Sequence, residues 1–556
     1  MRLVRRGIAA VVLVACAALA GGGGGAVAQT AAPADVQPSW GSTPKRVLIV
    51  LFDQMRPEYA DRFDMKNFKR VRDAGTNFNS AFLNYMGSET VISHNVIVSG
   101  QAPKHMGWVD EAYRDSGNLL GGGAGNMWVT GDLTLEQFGT LVNHEGYPKL
   151  ADYLHAKFPG TKFITVGEKS YAVESATAPS GDIAVRLSSR QSDTSAATGC
   201  ANLGGQWRYP FGKNVPGYLT QPKCGRFYIN SDSSNDYTTA TTRPAWMYPE
   251  DGNRFFPGHD KAHLGGDTWA ADAAMKMMER EDWSGMFVTL GAIDKAGHMW
   301  GAYHDRQSPP GSPDFQTHVR FAAQNADRQF GRMLGKLRQL GELDDTLVVL
   351  TADHGATYGQ HFYGQNKPDG GDTNWYYGDS VNDGLFNDPD PALAPLIATG
   401  NVQFSYQSTG IETWLKDHSK ARKVQAAAIM KTLPGVIASY YRTGDHYALA
   451  GTNSMTPRER WWWNQHGQTI VDTMASSNGP DVVGLLHNRT SYGVYGDHGG
   501  ATEESQRVPM VFWSPGMAFH NNTSATFHTT DVLPTILRAM GIPLTHPVDG
   551  QARSLH

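Results

Sequence analysis

The sequence predicts an α/β fold: a mostly parallel central sheet flanked by helices, with a small α+β cap subdomain inserted before its last part. Three observations predict it. Continuous apolar runs recur at Arg46–Phe52, Phe163–Gly167, Met286–Ile293, Thr346–Ala352 and Val508–Trp513, and such runs read as strands buried on both faces. Helical stretches separate them, at about 148–157, 266–280, 315–341 and 531–541, which is the alternation of an α/β layer fold. Three of the runs end at or near an aspartate: Asp53, Asp294 and Asp353. In open α/β sheets ligands bind outside the carboxyl ends of the strands. These carboxylates are therefore expected to gather at one edge, although they are far apart in the chain.

Taken in order, the chain opens with a targeting segment. Arg2, Arg5 and Arg6 form a positive region, Ile8 to Ala20 an apolar one, and Ala26-Val27-Ala28 before Gln29 is a small-residue cleavage site. Residues 1–28 read as a signal peptide and 29–44 as a polar leader, so the mature protein is expected in the periplasm or outside the cell. Leu13-Val14-Ala15-Cys16 also matches a lipobox and leaves a lipid anchor at Cys16 open. Arg5-Arg6 leaves a twin-arginine route open. Cleavage leaves Cys200 and Cys224, and an exported pair is expected to bridge. Closing that loop stabilises by roughly 3 kcal/mol in the chain-entropy view.

The catalytic part is expected over 45–397 and 488–556. The insertion 398–487 has its own helix, around Lys420 to Thr432, and a strand-like Val436–Tyr441. The stretches 185–262 and 358–395 read as polar, Gly-rich insertions. Composition excludes other classes. With 62 Gly and 29 Pro in 556 residues, the chain falls below the roughly 25–30% of low-complexity sequences. A net charge of −5 gives no basic field for nucleic acid. Beyond the N-terminus no apolar run reaches the about 18 residues of a membrane span. Nothing in the pattern sets the oligomeric state.

The chemistry concentrates at the strand ends. Asp294 and His298 are four apart, which on a helical turn puts both on one face. Asp353-His354-Gly355 follows the next run, and Asp497-His498-Gly499-Gly500 precedes the last one. Carboxylate and imidazole are ligands of zinc and similar divalent metals. With Asp53 they make a candidate metal set, in which Asp497 is a neighbour rather than a ligand. A hydroxyl nucleophile is expected nearby, in Ser88-Glu89-Thr90 and the apolar helix that follows. A helix N-terminus suits phosphate. On chemistry alone Thr90, Ser88 and Ser93 compete.

These pieces resemble the alkaline phosphatase superfamily, in its branch of type I phosphodiesterases, nucleotide pyrophosphatases and periplasmic alkaline phosphatases. The matching residues are the strand ending in Asp53, Thr90 to Gly107, Asp294 with His298, Thr351 to Gly355, Gly496 to Gly500, and His528 to Pro543. The resemblance implies an alkaline-phosphatase-like sandwich and a two-zinc site. One metal would be held by Asp294, His298 and His498, the other by Asp53, Asp353, His354 and the Thr90 oxygen. It implies hydrolysis of phosphoric esters through a covalent phospho-threonine at Thr90, with the metals activating nucleophile and leaving group. The Cys/Ser-x-Pro-x-Arg nucleophile motif of sulfatases is absent here.

Two departures stand out. Relatives place an Asn about 21 residues after the nucleophile, donating to a phosphoryl oxygen. Glu111 falls there, which leaves open a different register, substitution by Asn118 or Asn126, or a different substrate. Monoesterases of the branch carry Lys-x-Arg after the second strand; here Lys169 matches and Tyr171 replaces the arginine. A cation at Lys169 favours monoester dianions. The expected activity is therefore phosphomonoester hydrolysis. The alternatives are a nucleotide pyrophosphatase or phosphodiesterase, a phosphonate hydrolase and, from another class, an inactive metal-stabilised surface-binding protein. Trp461-Trp462-Trp463 reads as a packed aromatic cluster, and the Asp-rich stretch 369–390 as a solvated loop.

Overall fold

β1 (Arg46–Phe52) is the centre of the architecture, and Val47 to Phe52 have no exposed surface. In chain order there follow β2 (Thr76–Phe82), β3 (Ala112–Asp115), β4 (Asn126–Val129), β5 (Lys162–Gly167), β6 (Ile183–Leu187), β7 (Pro210–Lys213), β8 (Trp283–Leu290) and β9 (Thr346–Thr351). Next come β10 (Val402–Gln407), β11 (Gly410–Leu415), β12 (Val436–Arg442), β13 (Tyr447–Thr452), β14 (Val482–Leu486), β15 (Met510–Trp513) and β16 (Asn522–His528). The computed structural model describes residues 43–130, 133–187, 210–219, 265–300, 302, 317–357, 391–493, 496–515 and 522–555. The expected signal peptide, Cys16, the Cys200–Cys224 pair and the Asp-rich stretch 369–390 lie outside the described residues.

The main sheet has nine strands in the order β16-β2-β15-β9-β1-β8-β5-β6-β7. β1 pairs in parallel with both β8 and β9, and β5 with both β8 and β6. β15 runs against β9 and β2, and β7 against β6, so those two strands oppose the rest. The apolar runs are free of solvent because helices cover the sheet: Gly265–Arg280 packs on β8 and β5, and Leu150–Lys157 on the same pair. The helix Thr317–Leu340 lies on Gly265–Arg280 and on Lys66–Ala74. Burial on both faces is why these strands carry unbroken Val, Ile and Leu rather than an alternating pattern.

The structure refines the expectations at two runs. The third does not continue as strand to Ile293. β8 ends at Leu290 and a helix starts at Ala292, so Asp294 and His298 sit one turn apart on Ala292–Trp300. The last run starts its ladder at Met510, since Pro509 has no N–H to donate. β2 and β16, whose sequences TNFNSAF and NTSATFH are polar, complete one side of the sheet without an apolar run to announce them.

Between β9 and β15 lies a second sheet, antiparallel, in the order β10-β11-β14-β12-β13. The helix Lys420–Met430 packs on β12 and β14, burying Ala427, Met430, Ile411 and Val482 in a separate small core. Among the described residues, no helix is long and apolar enough to cross a membrane.

Candidate metal centre

Parallel register sets the floor of the site. Leu51 lies level with Thr289 and Thr351, and Gly167 level with Thr289. The residues just past these ends, Asp53, Lys169, Asp294 and Asp353, therefore emerge together. Asp53 and Asp353 have no exposed surface and Asp294 is 2% exposed. Gln54 locks the corner. Its φ is +63°, its N–H donates to Asp353 Oδ1 (3.1 Å) and its amide donates to Gly496 O (2.6 Å). A side chain at Gly297 would meet Gln54 Oε1 at 1.8 Å, so a glycine is required where that helix crosses.

Two donor triads form. In the first, Asp294 Oδ1 lies 3.1 Å from His298 Nε2 and 3.5 Å from His498 Nε2, and the two Nε2 atoms are 3.2 Å apart. In the second, His354 Nε2 lies 3.6 Å from both Asp53 Oδ1 and Asp353 Oδ2, and 3.3 Å from Thr90 Oγ1. Four ligands at about 2.0 Å around a tetrahedral ion are separated by roughly 3.3 Å. Both sets therefore have the spacing of a tetrahedral metal site. The fit is also chemical: Asp53 Oδ1 and Asp353 Oδ2 are buried without a hydrogen-bond donor, and among the described residues these triads are the groups of potential ligands within 4.8 Å of one another.

Thr90 opens the helix Thr90–Ser99, after Glu89 in an extended conformation and before Gly100 at φ +68°. Every residue of this helix is buried, as expected of an element apolar nearly all round. Thr90 Oγ1 receives Lys169 Nζ at 3.3 Å. The two competing hydroxyls are engaged elsewhere: Ser88 Oγ donates to Gly500 O (3.1 Å), and Ser93 Oγ accepts from the Tyr85 hydroxyl (2.8 Å). His94, one turn on, contacts Thr90 O (2.6 Å) and Thr289 Oγ1 (2.8 Å) through its two ring nitrogens.

Lys169 Nζ reaches 2.9 Å from Asp53 Oδ2 and 2.5 Å from Asp294 Oδ2, linking the triads. Burial opposes its charge, but Asp294 and Asp53 outweigh burial and hold the ammonium well above its ordinary value. Burial, then repulsion from Asp294 and Asp353, drives the Asp53 carboxyl well up. Burial also opposes the charge on Asp294, where Lys169 and His298 prevail and hold it well down. Burial lowers His354 to about 3, which leaves it neutral and fit to coordinate. Three buried carboxylates against one ammonium leave the pocket wanting cations.

Glu111 stands half-buried at the start of β3, in electrostatic range of His498, Lys169 and Asp294. Burial, then Glu89, raises it to about 8, with His498 and Lys169 opposing. Asn118 and Asn126 are exposed in the β3–β4 hairpin, where Asn118 Oδ1 accepts from Gly123 N (2.8 Å). Asp497 accepts from Ser491 Oγ and stands outside the triads. Tyr171 is partly buried against the main core. Trp461 is the exposed member of its cluster and Trp462 is buried.

The motifs did not single out Glu89, whose Oε2 lies 2.6 Å from His498 Nδ1. A metal-ligating histidine usually gives its other nitrogen to a carboxylate, which fixes the tautomer. Its place immediately before Thr90 was the available signal. Gln54 was missed likewise, because its partners are remote in sequence, as was His94, which ties Thr90 O one turn away to the remote Thr289.

The sequence model of the type I phosphodiesterase / nucleotide pyrophosphatase family matches residues 47–368. Among curated proteins, alkaline phosphatase PhoK of Sphingomonas sp. is 23% identical over 554 residues, covering 92% of this chain and 91% of that protein. Alkaline phosphatase PafA of Elizabethkingia meningoseptica is 31% identical over 112 residues, 18% of this chain and 19% of that protein. Among solved structures, wild-type PafA superposes with a TM-score of 0.57 at 16% identity, covering 90% of this chain and 96% of that one. A multiply substituted PafA gives 0.59 at 15% identity with the same coverage. The structural likeness shows the alkaline-phosphatase-like fold.

Proposed function

We infer the activity of this chain from one premise: it belongs to the type I phosphodiesterase / nucleotide pyrophosphatase family and is a phosphoric ester hydrolase. We propose that its preferred substrates are phosphomonoesters and that Thr90 is the nucleophile, forming a phospho-threonine. The observation that carries this reading is the position of Thr90 Oγ1, 3.3 Å from both Lys169 Nζ and His354 Nε2.

In this reading Asp294, His298 and His498 hold one metal, and Asp53, Asp353, His354 and Thr90 the other. The spacing and the nitrogen and oxygen donors suit zinc. Bound there, divalent ions supply Lewis-acid stabilisation of the attacking and leaving oxygens. The chain's own residues do the rest. The start of the helix Thr90–Ser99 holds the hydroxyl in place and offers free backbone N–H groups to a phosphoryl oxygen. Lys169 donates to Thr90 Oγ1, favouring its deprotonated form, and its charge complements a dianion. Glu89 keeps the Nδ1 proton on His498 so that Nε2 stays free. The N-terminal pattern supports export of the mature protein.

Glu111 and Tyr171 favour a second reading, since a carboxylate in electrostatic range of Lys169 and His498 and a missing arginine both weaken monoester binding. In that case phosphodiesters or nucleotide pyrophosphates are preferred. One assay tests the proposal: hydrolysis of p-nitrophenyl phosphate and bis(p-nitrophenyl) phosphate by zinc-loaded protein, with Thr90→Ala and chelated protein as backgrounds. Monoester preference lost in both backgrounds is expected. Diester preference moves the protein to the second reading, and turnover by Thr90→Ala refutes the nucleophile.

A further inference from the structure

The first turn of the helix Thr90–Ser99 is held by its carbonyls. His94 Nδ1 lies 2.6 Å from Thr90 O, and Ser175 Oγ donates to Val91 O at 2.6 Å. The side chain of Glu89, the residue before the helix, makes no capping bond to the N–H groups at the same end. The turn is thus fixed from behind, and its N–H end is left for an anion. His94 is the link from this turn to the sheet. Its Nε2 lies 2.8 Å from Thr289 Oγ1 on β8, and its ring lies against Phe287 with centroids 5.2 Å apart. His94 has no exposed surface and Thr289 is 2% exposed.

Chemistry fixes the direction of the first bond. Thr90 O can only accept, so Nδ1 carries a proton. Asp353 Oδ2 is 3.9 Å from that nitrogen, out of hydrogen-bond reach. Nε2 meets a hydroxyl, which can donate or accept, so the second bond needs no particular charge on the ring. Thr289 lies level with Leu51 and with Gly167, just before Asp53 and Lys169. The link therefore runs from Thr90 to the level of the sheet at which the carboxylates and the ammonium of the site emerge.

We propose that His94 is a positioning residue, which aims the Thr90 hydroxyl by tying the Thr90 peptide to Thr289. This rests on the reading of Thr90 as the nucleophile. Threonine is β-branched and stiff at χ1, so a fixed backbone leaves its hydroxyl few directions. Thr90 Oγ1 then keeps its 3.3 Å approach to both Lys169 Nζ and His354 Nε2. Without the tie, Ser175 still holds the helix at Val91 O, but the hydroxyl one residue earlier gains freedom. Misplacing a reacting group by about 1 Å can cost on the order of 100-fold in rate. Such a brace acts on the chemical step and leaves substrate binding alone.

The test uses the zinc-loaded full chain and whichever of p-nitrophenyl phosphate and bis(p-nitrophenyl) phosphate it hydrolyses faster. His94→Asn keeps an N–H at the place of Nδ1 and loses the reach to Thr289. Thr289→Val removes the hydroxyl at nearly the same size. Each is expected to lower kcat and kcat/KM together by about 10–100-fold, with KM unchanged and both zinc ions retained. The double variant should lose no more than the worse single one, because both changes cut one link. Thr289→Ser should recover most of the rate. Wild-type kcat in Thr289→Val overturns the proposal, even where His94→Asn fails to fold. A lowered Tm with unchanged kcat per folded molecule, the result of a merely structural bond, overturns it too, as do losses that add in the double variant. Thr90→Ala, run in parallel, separates the two failures. Turnover by Thr90→Ala removes the nucleophile itself, whereas an inactive Thr90→Ala beside a fully active Thr289→Val removes only the brace.

Discussion

Replacing Glu89 separates positioning from simple charge in the first triad. Glu89 is 2% exposed and His498 6% exposed, with 2.6 Å between Oε2 and Nδ1. Nδ1 makes no aligned hydrogen bond, so Glu89 acts on the ring as a buried charge in contact with it. Such a charged contact is worth roughly 1.5–3 kcal/mol, which converts to about 10- to 100-fold in metal affinity. Glu89→Gln keeps an acceptor oxygen and is expected near the lower figure. Glu89→Ala loses charge and acceptor and is expected near the upper. Without metal, burial opposes the His498 proton but Glu89 and Asp294 prevail, holding its pKa well above the usual range. Metal must displace that proton, so Glu89→Gln should also let metal bind at lower pH. The assay is zinc competition against a chromophoric chelator across pH, with kcat/KM at saturating zinc. Wild-type affinity for both zinc ions in both variants would refute the reasoning.

Glu111→Asn restores an amide donor. It is expected to raise kcat/KM for p-nitrophenyl phosphate by about tenfold, more at pH 9 than at pH 6 because the carboxyl, raised to about 8, is ionised only at the higher pH; equal kinetics at both would remove Glu111 from the phosphate. Lys149, 2% exposed with Nζ on Val142 O, is lowered by burial from 10.5 to about 7, against the pull of Asp152. Between those values the unfolded chain binds a proton that the folded chain does not, so this residue makes stability rise with pH across that window and sit at its floor below it. Lys149→Met should flatten that dependence in urea melts and stabilise the protein at neutral pH by up to roughly 4 kcal/mol; an unchanged slope counts against it. Thr409→Val removes a hydroxyl bonded to Gly499 O and Ser505 Oγ, worth about 1–2 kcal/mol, and should loosen one of two zinc ions by about 5–30-fold; equal loosening of both would be the wrong result.

Strands β1 and β9 were legible because burial on both faces leaves a continuous apolar signature. β2 and β16 were not, since their side of the sheet is carried by polar residues that resemble loop. The reversed direction of β15 was hidden for another reason: periodicity records which face is buried and says nothing of which way the chain runs. At the site, the three aspartates and the Asp294–His298 pair could be placed because strand ends and helical spacing are local facts. Gln54 and Glu89 could not. Their roles are contacts between segments remote in sequence, with Gln54 reaching Gly496 and Glu89 reaching His498. The replacement of Asn by Glu111 was visible, because it is a matter of spacing from Thr90.

The two triads differ in what supports them. Asp53, Asp353 and His354 all follow strands of the nine-stranded sheet, so their spacing is set by its register. The other triad spans both sheets. Asp294 and His298 rest on the first, whereas His498 lies in the loop after β14 and is gripped by the turn between β10 and β11. There Thr409 N donates to His498 O (3.1 Å), Tyr492 N donates to Ser408 O (2.9 Å), and Ser408 stands so close to Gly499 that a Cβ there would meet Ser408 Oγ at 2.5 Å. A shift of the inserted sheet therefore acts first on His498 relative to Asp294; it reaches the second triad only through His354, whose ring stacks on His498 with centroids 3.6 Å apart, and through the bond from Thr357 N to Asp497 O (2.8 Å). Substrate contacts made by the insertion and metal affinity at the first triad are then not separable properties: a ligand that moves one moves the other by the same free energy.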